Sequence, residues 1–334
     1  MAADDVSVFP VTQLPANSWF EGFAVRPNGH ILATRLDAPE LYTFDPADPT
    51  ARPQLLHTFP DANGLVNLCP IKGGDDEYAV IAATVELQQV QFDSAVIWRV
   101  KLDQDDRVQI SELARVPDSG FCIGVTAVTP TTLAIADSHK NCIWRLDITS
   151  GKSSVLVADE PTMAAASEED YFGINRVRVS HGHLWYTNTS AGLLCRVPIA
   201  VDDAAGADGG VATTGPVEIV ASDLPHCDGL ALTEDGKAIF TANYMAGVVW
   251  RVDVDSAGKG VSSILTRGLS SPTSVEFANI ADKQRLYVTC CGGEGATVGW
   301  VNEDDRVSEQ SKFNFEIEVT AEVTVTEEVV EERA

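Results

Sequence analysis

The chain is short of positive charge, of paired cysteines and of uninterrupted apolar runs, and each shortage closes off a class of function. Lys and Arg total 23 against 49 Asp and Glu, a formal charge of -26. Such a surface repels phosphate backbones and anionic headgroups, so neither nucleic acid nor a membrane is an expected partner. No apolar stretch approaches the ~20 residues of a spanning helix. The opening MAADDVSVFPVTQLP carries acids where a secretion signal carries basic residues, and it lacks an apolar core. The seven cysteines, Cys69, Cys122, Cys142, Cys195, Cys227, Cys290 and Cys291, are scattered without C-x-x-C spacing. That pattern reads as reduced thiols inside strands, not a disulfide frame or zinc site, and gives a cytoplasmic expectation.

Helical periodicity is also scarce, and self-similarity takes its place. A strand with a polar close recurs as LYTFD to Asp45, IWRVKLD to Asp103, IWRLD to Asp147, VWRVD to Asp253 and VGWVN to Asn302, with LCRVP to Pro198 as the variant copy. Taken in chain order, the closing positions are 58, 44, 51, 55 and 49 residues apart, a period suited to four-stranded propeller blades. A second strand precedes each: HILATRL, YAVIAAT, LAIADS, LWYTNT, AIFTANY and LYVTCC. Turn signals such as PNG and EDG stand before some of these.

The expected fold is therefore all-β, a six-bladed β-propeller of four-stranded antiparallel blades around a central channel, spanning residues 1–319. Either VSVFPV (6–11) or FNFEIEV (313–319) should complete the terminal blade and cover its edge. An acidic tail over 320–334 should be solvated, since the segment from Phe315 onward carries seven Glu and a single Arg.

In such a fold the opening residues of each blade's first strand face the channel. They fall in WFEGFAV, ANGLVNL, FCIGVTAV, GINRVRV, HCDGLAL and PTSVEF. Glu21, Asn175 and Asp228 are oxygen donors opening apolar strands, a set that suits Ca²⁺ better than zinc. Trp19, Phe20, Trp185, Tyr244 and Met245 are candidates for an apolar substrate wall, with Asn67, Cys122, Thr126 and Ser274 as further channel-facing contacts. Arg176, His226, Arg35 and His139 are candidate catalytic hydrogen-bond donors. Asp137-Ser138-His139 invites a triad reading, but Ser138 lacks the G-x-S-x-G context of a nucleophile elbow. His181 and His183 flank Gly182 in a turn expected at the far face.

Blade by blade the chain resembles the SMP-30/gluconolactonase-like six-bladed propeller superfamily over residues 15–305. EGFAVRPNGHILAT, GINRVRV, HCDGLALTEDGKAIFTANY and PTSVEFANIADKQRLYVTCC carry the likeness. The resemblance implies that Glu21, Asn175 and Asp228 hold a divalent ion and that the protein is a lactonase or ester hydrolase. Two departures weigh against this: FCIGV stands where hydrolases of the superfamily place an Asn, and Arg176, a cation, follows Asn175. The runs WFEGFAVRPNGHILATRLDAPELYTFDP and LAIADSHKNCIWRLDITSGKSSVLV are similar to a fungal branch that includes hetero-Diels-Alderases of tropolone-sesquiterpenoid biosynthesis. That closer resemblance implies a secondary-metabolism enzyme joining a quinone methide to an alkene, its partners small molecules and no cofactor required, with Ca²⁺ in the channel as an open possibility. A metal-dependent hydrolase and a non-catalytic interaction scaffold are the alternatives.

Overall fold

A computed structural model describes residues 8–48, 50, 52–86, 91–202, 210–280, 283–291 and 297–301. Six antiparallel sheets are arranged as propeller blades. Their innermost strands are Phe20–Val25, Gly64–Pro70, Cys122–Ala127, Ile174–Ser180, Cys227–Leu232 and Pro272–Ile280. Every polar-ended copy is the third strand of its blade, from Glu40–Phe44 in blade one to Thr297–Val301 in blade six. Blade four differs because its third strand, Leu193–Val201, is long enough to pair with two short outer strands, Val211–Thr213 and Glu218–Ala221. The one described helix is a single turn, Glu160–Met163.

The recurring acids owe their position to turn chemistry. Asp45 accepts from Ala47 N, Asp103 from Asp105 N and Arg107 N, and Asp147 from Thr149 N and Ser150 N. Each carboxylate caps the reversal into the outermost strand, as Asx turns do. In blade five Asp255 takes this part, accepting from Ala257 N and Lys259 N. Asn302, FNFEIEV and the acidic tail lie outside the described residues. Closure is made by Val8–Gln13, which pairs with Thr297–Val301 as the fourth strand of blade six. The first and last described strands thus meet in one sheet, and the edge of Thr297–Val301 is covered.

Burial follows the radial order. Second strands such as Ala238–Asn243 are buried at every position, whereas outer strands such as Ser153–Ala158 alternate toward solvent. Inner strands are sandwiched between neighbouring blades, so they read as continuous apolar runs; outer strands have one wet face. Hydrophobic clusters fall at each blade-to-blade contact, for example Ile81, Ile97, Val125 and Ile135 between blades two and three. Each fully buried Ile or Phe contributes about 1.5–3 kcal/mol, so the ring is held by side packing between blades that share no backbone ladder. Among the described residues no helix is long and apolar enough to cross a membrane.

Candidate functional site

The channel residues are set by a bulge repeated in all six innermost strands. Pairing with the second strand slips between Phe20 and Phe23, Leu65 and Asn67, Cys122 and Gly124, Ile174 and Val177, Cys227 and Leu230, and Pro272 and Ser274. Residues inside these slips have no ladder partner, and a bulge re-aims its side chains. Five of them, Glu21, Val66, Ile123, Asn175 and Asp228, line one pocket at the channel mouth. Buried threonines hold the bulged backbone. Thr34 Oγ1 accepts from Gly22 N and donates to Gly22 O, and Thr187 Oγ1 accepts from Arg176 N and donates to Asp228 O. The strands also crowd the axis: a Cβ on Gly22 would stand 2.6 Å from Asn67 Oδ1, and one on Gly229 2.4 Å from Ser274 Cα.

In blades one, three and four the incoming segment is latched by a polar residue at or just past the end of the second strand. Asp37 accepts from Trp19 N, and Asp137 from Gly120 N, Phe121 N and Trp144 Nε1. Asn188 donates to Thr162 O and Ala164 O. The mouth residues Trp19 and Phe121 are thus fixed through their own backbones.

Against the pocket's two acids Arg176, fully buried, reaches across the channel. Its Nη2 lies 3.2 Å from Glu21 Oε1 and 3.6 Å from Asp228 Oδ1. Trp19 Nε1 donates to Glu21 Oε2 at 2.7 Å, and Asn175 Nδ2 to Thr189 Oγ1 at 2.9 Å. Arg176 Nε and Nη1, Asn175 Oδ1, Asp228 Oδ1 and Ser274 Oγ are buried without a hydrogen-bond partner among the described residues. Burial pushes the pKa of Glu21 up against the opposing pull of Arg176, and burial together with the charge of Glu21 pushes Asp228 well above the carboxylate range. Burial pulls Arg176 down, with Asp228 and Glu21 opposing, though a guanidinium so placed stays charged. Burial, the largest influence on both acids, favours their neutral forms, and Arg176 opposes it at each. The walls above are apolar: Leu36, Val66, Phe121, Ile123 and Phe172, with Trp19 and Tyr244. The cavity volume is about 80 Å³.

A divalent ion does not fit this arrangement with the guanidinium in place. Glu21, Asn175 and Asp228 do converge, but the cation between the two carboxylates is the chain's own.

The other candidates scatter. Asn67 is at the axis, where its Nδ2 donates to Ile123 O, and Ser274 is buried on blade six close to Gly229 of blade five. Thr126 lines a different cavity of about 310 Å³ at the opposite end of the channel, near Arg178 and Glu276. Phe20 packs in the core between blades six and one, and Trp185 is buried under Arg196, whose guanidinium carbon is 5.3 Å from the indole centroid. Cys122 points into the core because the bulge turns Ile123 to the pocket in its stead. Arg35 is engaged by Asp37 and Glu40, shaping a loop outside the pocket. His226, half-buried, packs its ring edge-on against Tyr244 at 5.9 Å, and Met245 is exposed. His139 borders a separate groove. The triad reading has no support: Ser138 Oγ accepts from Gly173 N, and the Asp137 carboxylate is committed to backbone amides and Trp144. His181 and His183 stand at the far-face turn. Leu36, Val66, Phe121, Ile123, Phe172 and Thr189 line the pocket without having been expected there. Phe121 and Ile123 flank the FCIGV cysteine, and a bulge-aware reading of that run would have found them.

No protein-family model matches the chain, and no curated protein matches its sequence. Solved structures match its fold. Regucalcin from Agrobacterium tumefaciens strain C58, a calcium-binding protein, superposes with a TM-score of 0.61 at 18% identity, over 90% of this chain and 97% of that one. The PQQ-bound aldose sugar dehydrogenase of Streptomyces coelicolor gives 0.58 at 13% identity, over 89% and 98%. Virginiamycin B lyase from Staphylococcus aureus gives 0.53 at 11%, over 89% and 99%. The fold is that of propellers that include enzymes, and at these identities the likeness carries the architecture alone.

Proposed function

We propose that the mouth pocket is the active site of a hetero-Diels-Alderase-like enzyme that templates cycloaddition of a conjugated carbonyl compound, such as a quinone methide, with an alkene. One observation supports this reading above others: two buried carboxyl groups, Glu21 and Asp228, line an otherwise apolar-walled pocket, with the Arg176 guanidinium fixed against them. In such a cycloaddition one C–C and one C–O bond form between the reactants, and no atom leaves. The enzyme's tasks are to hold the partners at contact distance and to hydrogen-bond the carbonyl oxygen as its electron density grows. Asp228, kept protonated by burial, donates that hydrogen bond, and Arg176 keeps Glu21 ionised so that the proton stays on Asp228. Trp19, Phe121, Phe172 and Tyr244 exclude water and embrace the apolar partner.

The test generates a quinone methide beside an alkene and follows rate and diastereomer ratio. Asp228→Ala should slow turnover about ten- to a hundredfold, and Asp228→Asn, which can still donate, less. An unchanged diastereomer ratio with and without protein would overturn the reading. The metal-dependent lactonase is the second reading; it draws on the convergence of Glu21, Asn175 and Asp228 but requires the Arg176 guanidinium to leave the space between the two carboxylates, and chelator-sensitive lactone hydrolysis would install it.

A further inference from the structure

The mouth pocket is too small for two reactants. Its ~80 Å³ compares with about 300–1,000 Å³ for small-molecule sites. Beside it lies an open groove of about 520 Å³ between the Ser138–Asn141 turn and residues 164–171. The two spaces share a wall. Phe172 lines the pocket and stacks at 5.9 Å on Phe121, Phe121 lies 5.8 Å from His139, and His139 lines the groove.

The backbone of that wall is held: a Cβ on Gly173 would stand 2.2 Å from Met163 O, and Ser190 N donates to Phe172 O. The Phe172 ring itself is half-buried and packs against Phe121. We propose that the groove is a second ligand compartment, joined to the mouth pocket when the Phe172 ring swings aside, and that it takes a neutral hydroxylated aromatic. Glu168 and Asp170 repel anions and accept hydrogen bonds, and the Tyr171 ring, 57% exposed, offers a stacking face. This rests on the two-reactant reading of the pocket, and it supplies the room that reading lacks.

The probe is 2-naphthol, a neutral hydroxylated aromatic, with the anionic 2-naphthoate as its counterpart; binding is read by fluorescence and by the His139 imidazole signal in NMR. Naphthol should bind and shift the His139 signal, and naphthoate should bind at least about tenfold more weakly. Phe172→Ala should tighten naphthol binding several-fold. Ala165→Trp, which fills the groove from the loop side, should weaken it at least about tenfold, and Tyr171→Ala, a change to an exposed ring, several-fold at an unaltered unfolding midpoint. Equal binding of both probes, or indifference to both Ala165→Trp and Tyr171→Ala, overturns the compartment. If naphthol obeys these expectations while the diastereomer ratio is unchanged by the protein, the cycloaddition reading falls and the compartment stands. If the ratio responds and naphthol ignores the groove, the compartment falls alone.

Discussion

Two buried arginines each sit between two carboxylates, and they do opposite work. Arg26, at the far end of blade one, is saturated: Nε and Nη2 bond Asp76, Nη1 bonds Asp106 at 2.6 Å and Thr43 at 3.2 Å, and Tyr78 Oη donates to Asp76. Arg176, on the channel, offers only Nη2 and leaves Nε and Nη1 without partners. Burial pulls both pKa values down, but hydrogen bonds and the charges of Asp76 and Asp106 reverse this for Arg26, whereas Glu21 and Asp228 fail to reverse it for Arg176. The acids differ too. Those of Arg26 keep some water, with side chains 15% and 24% exposed, while Glu21 and Asp228 are buried. A saturated cluster fastens blade one to blade two; an unsaturated one holds donors and acceptors ready for something else.

The largest expected effect is on the fastening. Arg26→Met leaves Asp76 and Asp106 facing each other without a cation, and should cost about 3–5 kcal/mol of stability, read from the denaturant midpoint, with cycloaddition unchanged. Arg176→Met should behave differently. Glu21 and Asp228 already favour their neutral forms, so its stability loss should be smaller at pH 5 than at pH 8, while cycloaddition falls about a hundredfold. An Arg176→Met loss equal at both pH values, with cycloaddition unchanged, would reduce the contrast to geometry.

A smaller effect isolates the acid pair. The folded-state pKa values of Glu21 and Asp228 lie above their ordinary values of 4.5 and 3.8, so between those values the native chain holds protons that the unfolded chain has lost. Stability from this source is full in acid and declines as pH rises through the folded-state values. Asp228→Asn removes the largest part of that decline. The variant should gain on the wild type from pH 5 to pH 8, measured as the change in unfolding midpoint across that range. A parallel pair of curves would mean that Asp228 is ionised in the fold.

What was legible in the residues divides along the same line. Asp45, Asp103 and Asp147 announced the blades because an Asx turn is local chemistry, visible in a few consecutive residues. Glu21, Asn175 and Asp228 were legible as polar breaks at the start of apolar strands. The bulges were not, because a bulge exists only relative to a partner strand; hence Cys122 stood in for Ile123. Phe20 and Trp185 are aromatic strand residues like Trp19, and only packing against blade neighbours separates core from wall. Phe172 sits in a loop without periodicity, held through Gly173 and Ser190 by contacts that no spacing encodes.

The smallest expected effect compares the pocket with the groove beside it. His139 is surface-accessible yet partly desolvated, and that burial lowers its pKa from 6.5 with the charge of Asp137 opposing. Here the unfolded chain takes up the proton first as pH falls, so this contribution is present above pH 6.5 and is lost in acid. Its sign is opposite to that of the Glu21 and Asp228 pair. Because solvent screens an accessible ring, its size should be only a few tenths of a kcal/mol. His139→Gln should therefore slightly flatten the loss of stability between pH 7 and pH 5 while leaving the alkaline decline to Asp228. NMR titration gives the sharper reading. The His139 signal should titrate below 6.5 in the wild type and move back toward 6.5 in Phe172→Ala, since removing the ring opens the wall that desolvates it. A His139 signal unmoved by that substitution would mean that Phe172 does not separate the two spaces.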